Sequence, residues 1–141
     1  MSLHLNVTAV SCGGRGVLIQ GPPASGKSSL ALALIDRGAV LIGDDGLTID
    51  PLEERLFASP PPEATGLLEV RNVGLVPMPV ASGVPLCLAL LLDQSAPRFI
   101  DAPGSVMVEG LPLPSIALWP DSPMLALRAE AALRHWGLPA S

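Results

Sequence analysis

The chain has 141 residues, 49% of them apolar and 15% charged, with a net charge of −5 at neutral pH. That length fits one domain, spanning 1–141, with a sizeable core, and the oily composition implies a large self-association surface. One lysine, Lys27, and no Lys/Arg cluster exclude a nucleic-acid surface, and no apolar run reaches membrane-spanning length. The start, MSLHLNV, lacks a signal peptide's basic region and long apolar core, and Cys12 and Cys87 read as buried free thiols. The expected compartment is the cytoplasm.

In chain order, residues 3–10 alternate loosely as a strand that places His4 and Asn6 on one face. His4 is open to two readings, a frayed-terminus histidine or a site residue. Cys12-Gly13-Gly14-Arg15-Gly16 reads as a turn between antiparallel strands. Val17-Leu18-Ile19 is a buried strand that breaks at Gly21, and GPPASGKS (Gly21 to Ser28) fits the phosphate-loop pattern G-x-x-x-x-G-K-S/T. A helix beginning near Lys27 follows, with Leu30, Leu32, Ala33, Leu34 and Ile35 apolar and Gly38 at its C-terminal cap. Val40-Leu41-Ile42 is the next buried strand, ending at Gly43-Asp44-Asp45.

Leu47-Thr48-Ile49 continues as a strand, Pro51 to Glu54 turns, and Arg55 to Ala58 returns. Leu67 to Arg71 is strand-like, with Glu69 and Arg71 on one face; a surface ion pair is the plain reading of that couple. Residues 72–82 read as an ordered loop, and Val84 to Leu92 as a central strand apolar on both faces. Pro97 to Leu118 reads as short strands broken by prolines, at sheet edges or in an outer layer. Asp121-Ser122-Pro123 starts a helix over about residues 123–136, ended by Gly137, and Trp119 and Trp136 are packing residues. The fold class is α/β: a mixed sheet holding strands 17–20, 39–43 and 84–92, with flanking helices.

The strand–loop–helix order is what phosphate chemistry requires. Glycines let the backbone approach phosphate oxygens, and a helix start aims free N–H groups and the positive dipole end at the anion. The loop Gly21, Pro22, Pro23, Ala24, Ser25, Gly26, Lys27, Ser28 and Ser29 is the expected nucleotide-binding segment. Lys27 then reaches the terminal phosphates, and the Ser28 hydroxyl ligates Mg²⁺. Asp44 and Asp45, at the end of a neighbouring strand, are placed to hold that metal or to take a proton.

The segments GGRGVLIQGPPASGKS, ALALIDRGAVLIGDD and LLEVRNVGLV together resemble the catalytic domain of bacterial HPr kinase/phosphorylase, in its short form lacking the N-terminal domain. LLEVRNVGLV is similar to that family's L-E-I/V-R-G-x-G signature. The resemblance implies a phosphate-loop fold shared with phosphoenolpyruvate carboxykinase, ATP and Mg²⁺ as cofactors, and a serine of HPr, the phosphotransferase-system carrier, as acceptor. It implies Lys27 on the β- and γ-phosphates, Ser28, Asp45 and Glu69 on the metal side, Asp44 as base, and Arg71 neutralising phosphoryl charge. The division between the aspartates also follows if both lie in an extended strand, where neighbours point to opposite sides. Hexamers are the family's habit, so a homo-oligomer is expected.

Four positions depart from the family pattern. Asn6 stands where relatives have a histidine, Pro23 replaces the loop serine, Ser29 replaces an acidic residue, and Asn72 replaces the signature glycine. Pro23 has no N–H or hydroxyl to hold inorganic phosphate, and neutral Asn6 cannot exchange a proton. The expectation is an HPr-directed serine kinase biased against phosphorolysis. The alternatives are a catalytically weak nucleotide-binding regulatory module of the same fold and a small-molecule phosphate-loop kinase; the latter usually carries arginine-rich lids, and eight Lys+Arg are too few.

Overall fold

The computed structural model describes residues 2–63 and 66–141. Strands β1 (Ser2–Leu5), β2 (Thr8–Cys12) and β3 (Arg15–Gln20) come first, and helix α1 (Lys27–Asp36) follows the phosphate loop. Next are β4 (Val40–Gly43), β5 (Gly46–Leu52), β6 (Arg55–Ser59), β7 (Leu67–Val70), β8 (Gly74–Pro77) and β9 (Val84–Leu92). Strands β10 (Gly104–Val108) and β11 (Leu111–Leu118) precede helix α2 (Leu125–Trp136).

The main sheet runs β1-β5-β6-β9-β3-β2-β4, β11 also pairs with β9 and carries β10, and β7 and β8 form a separate hairpin. Strand β9 is the axis. On one edge it runs parallel to β3; on the other it meets β6 antiparallel at Val84 and Pro85, then β11 parallel from Ala89 to Leu92. Two strands dividing one edge make the sheet curl.

Each face of the sheet buries its own core. Val10, Val17, Ile19, Leu88 and Leu90 pack under the helices, whereas Leu18, Ile42, Ile49, Leu56 and Leu86 fill the curl. The nine-residue strand β9 serves both because its phase changes once. Val84 and Leu86 face into the curl; a register shift opposite Gly16 and Val17 then turns Leu88, Leu90 and Leu92 to the helices and Ala89 to the curl. Each such leucine, fully buried, is worth about 1.5–3 kcal/mol. Leu125, Ala129, Ala132 and Leu133 seat α2 at i, i+4, i+7 and i+8 spacing, and Leu30, Ala31 and Leu34 seat α1. Cys87 is buried and Cys12 half-buried, both as free thiols. Burial pushes the Cys12 thiol up to about 11, with Glu130 adding to the rise and Arg15 opposing it, so it stays protonated at neutral pH.

Several sequence expectations need correction. Residues 72–82 are not all loop, since Gly74–Pro77 forms β8 and pairs with β7; two apolar residues between Gly74 and Pro77 are too few to show a period. Of the strands expected at sheet edges or in an outer layer between Pro97 and Leu118, β10 lies at an edge, whereas β11 lies between β9 and β10. Its prolines, Pro112 and Pro114, fall where β10 is the sole partner, because β9 pairs only from Ser115 onward. Helix α2 begins at Leu125, two residues late, because Ser122 first closes a turn: its Oγ accepts the Met124 N–H at 3.0 Å. His4 and Asn6 do not continue one strand. Asn6 has φ 63° and breaks it.

Candidate active site

The topology brings the chemistry to one end of the sheet. Strand β2 is antiparallel to both β3 and β4, so β3 and β4 run the same way and end together. Their C-terminal ends deliver Gly21 and Asp44, and the N-terminal end of β2 delivers Thr8 and Asn6. The β7–β8 hairpin adds Glu69 and Arg71. All of these, with Pro23 to Ser29 and Asp45, line one cleft of about 370 Å³.

The loop is shaped for an anion. Gly26 takes φ 99°, a left-handed turn closed to most side chains, and hands the chain directly to α1. No side chain caps α1, and no acidic residue lies in its first turn, so its first N–H groups face the cleft unopposed. The Lys27 ammonium donates to the carbonyls of Gly21 at 3.0 Å and Pro22 at 3.2 Å, which holds it over the loop. A Cβ at Gly21 would sit 2.6 Å from Ser25 Oγ and 3.2 Å from Leu92 Cβ, so a side chain there would push Ser25 out of place.

The two aspartates are not on alternate sides of a strand. Strand β4 stops at Gly43, and Asp45 bends back with φ 59°, its carbonyl accepting the Asn6 N–H at 3.1 Å. Asp44 is held through both oxygens: Oδ1 accepts from the Ser28 hydroxyl at 2.6 Å and the Thr8 hydroxyl at 3.0 Å, and Oδ2 accepts the Glu69 N–H at 2.9 Å. The Asp45 carboxylate has no such partner among the described residues and lies exposed at the cleft. The carboxylate expected to act as base is therefore the one held against Ser28.

Thr8 was not foreseen from the sequence. It is 1% exposed and touches both aspartates, accepting the Asp45 N–H at 3.5 Å. Its signal is the β2–β4 pairing, which periodicity alone does not reveal. His4 is not in the cleft; its Nε2 pairs with Glu109 Oε2 at 2.8 Å on the β10–β11 turn. That bond and the Ser2 hydroxyl hold the Glu109 carboxyl below its usual range, Ser2 contributing more. Asn72 has φ 70°, so it occupies in left-handed form the position where the signature has glycine. Among the described residues no three His, Cys, Asp or Glu side chains converge as a protein-only metal cage. Ser28, Asp44 and Glu69 instead form an oxygen-rich wall beside the anion site, which suits Mg²⁺, an ion that takes one or two protein ligands together with phosphate oxygens and water.

The sequence and the fold both find relatives. The HPr kinase/phosphorylase of Clostridium tetani is 40% identical over 81 residues, covering 57% of this chain but 27% of that protein. The namesake from Mycoplasmopsis pulmonis is 38% identical over 74 residues, 52% of this chain and 24% of its own. The chain thus spans about a quarter of these relatives' length. The structure of the HPr(Ser) kinase/phosphatase from Coxiella burnetii superposes with a TM-score of 0.83 and 26% identity, covering 95% of this chain and 89% of that one. The mixed α/β fold, a curled sheet with two helices, is the fold of that enzyme. The family model of the HPr Serine kinase C-terminal domain matches residues 2–86, well over half the chain. The chain belongs to this enzyme family, the HPr serine kinase C-terminal domain.

Proposed function

We propose that this cleft transfers the γ-phosphoryl group of Mg²⁺-ATP to a serine of an HPr-like carrier protein in the cytoplasm. The observation that carries the reading is the 2.6 Å bond between Ser28 and Asp44 beside the uncapped start of α1 and Lys27. A loop hydroxyl already paired with a strand-end carboxylate is the arrangement phosphate-loop enzymes use on the metal side.

In this reading the α1 N–H groups and Lys27 bind the phosphates. Ser28, Asp44 and Glu69 would hold Mg²⁺, which would supply neutralisation of the phosphate charge. The hydrogen bonds of Asp44 favour it for that side, and the open carboxylate of Asp45 favours it as base, the reverse of the assignment that the family resemblance implies. Asp45 accepts the serine proton as the serine oxygen bonds to the γ-phosphorus and the bond to the β-phosphate oxygen breaks, leaving ADP. Arg71, on the same cleft wall, stabilises the charge that builds on the transferred group. Pro23 and Asn6 both line the cleft and lack the groups that phosphorolysis needs, which supports a bias towards the kinase direction.

Incubating the protein with γ-labelled ATP and purified HPr tests this directly. Label should pass to HPr serine. Nucleotide binding without any transfer would favour the regulatory-module alternative instead.

A further inference from the structure

Strands β3, β9 and β11 are parallel, so Gly21, Asp93 and Asp121 leave the sheet on the same side. Between them lies a second cleft of about 420 Å³, within the range of small-ligand sites. Pro23, Ala24 and Ser25 line both clefts, so the two meet at the phosphate loop. The Ser25 hydroxyl is buried in that shared wall with no hydrogen-bond partner among the described residues. Along the sheet the aspartate-bearing end of β4 lies to one side of β3, and β9 and β11 lie to the other. A polyphosphate on the loop therefore points its reacting end at Asp44 and Asp45 and its other end into this cleft.

The lining decides what fits there. Two carboxylates, Asp93 and Asp121, repel any further phosphate but accept hydrogen bonds from neutral hydroxyls. Each has one oxygen already used: Asp93 Oδ1 accepts the Ser95 N–H at 2.8 Å, and Asp121 Oδ2 accepts from Gln94 Nε2 at 3.2 Å. The second oxygen of each has no partner among the described residues. Pro22, Leu91 and Pro120 supply rigid apolar walls for a planar ring. Trp119 stands beside Gln94 and Asp121 on the adjoining hollow, its Nε1 donating to Ala96 O at 2.7 Å, and the residue is 41% exposed.

We propose that this cleft holds the nucleoside of the nucleoside triphosphate, its sugar hydroxyls donating to Asp93 and Asp121 and its base lying against the prolines. The assignment rests on the reading that the phosphate loop binds the polyphosphate.

Calorimetry of wild type and the Asp93→Asn/Asp121→Asn double variant, with Mg²⁺-ATP and with inorganic tripolyphosphate, tests it. Removing two negative charges tightens or leaves unchanged the binding of a bare polyanion. Losing charged acceptors for sugar hydroxyls weakens ATP by about tenfold. Weaker ATP binding with unchanged or tighter tripolyphosphate binding is the expected result, together with quenching of Trp119 fluorescence by ATP and not by tripolyphosphate. Equal ATP affinity in variant and wild type overturns the nucleoside site while leaving the phosphate loop standing. Failure of wild type to bind either ligand overturns both.

Discussion

Asp44 and Asp45 are neighbours with opposite surroundings. One carboxylate accepts three hydrogen bonds, from Ser28, Thr8 and the Glu69 backbone, while the other stands free in the same cleft. A carboxylate held by three hydrogen bonds is fixed in place and suits positioning; a proton acceptor needs its lone pairs open. Asp45→Asn should therefore abolish transfer while keeping Mg²⁺-ATP affinity within about twofold, and Asp44→Asn should weaken Mg²⁺-ATP about tenfold. Binding and single-turnover rates measured on both variants check this; the reverse pattern would restore Asp44 as base. Asn6 and Pro23 make a second residue-scale test, because both face the cleft where a histidine and a serine would add an exchangeable proton and a phosphate donor. Asn6→His together with Pro23→Ser should raise phosphorolysis of phospho-HPr, and strong phosphorolysis by the unmodified protein would show that other groups do this work.

At the scale of elements, the turn from β4 into β5 carries both aspartates and has no spare room. A Cβ at Gly43 would run into the carbonyl oxygen of Gly46 and sit 3.2 Å from Leu47 Cβ. Backbone cannot yield as a side chain does, so Gly43→Ala should cost about 1–3 kcal/mol in urea unfolding and reduce nucleotide affinity with it. Unchanged stability would mean the turn is looser than its packing indicates. The loop, α1 and the strands around them were legible because each carries a local signal: an apolar run, a glycine break, or a place directly after the phosphate loop. The β7–β8 hairpin was half legible, since β8 has only Leu75 and Val76 between its bounding Gly74 and Pro77. Thr8 and the orientation of the aspartates were not legible. They depend on strand pairing across β2 and on the φ of 59° at Asp45, and neither leaves a periodic trace.

For the molecule as a whole, β9 ties the parts together, with both cores meeting along its length. Two apolar cores account for much of the oily composition, and the remainder reaches the surface at Leu3, Leu5, Leu52, Val73, Leu75, Phe99 and Met107, each more than half exposed. No helix among the described residues is long and apolar enough to cross a membrane. We expect a partner copy to cover part of that surface, so sedimentation at micromolar concentration should give an oligomer, and a clean monomer would contradict this. The central claim is that the loop before α1 grips a nucleoside triphosphate through the chain's one lysine. Calorimetric titration of Mg²⁺-ATP into wild type and Lys27→Ala tests it most directly: wild type should bind, and the variant should lose at least about tenfold, since the chain has no other lysine to replace the charge-assisted contact. Equal affinity in the two proteins would contradict the account.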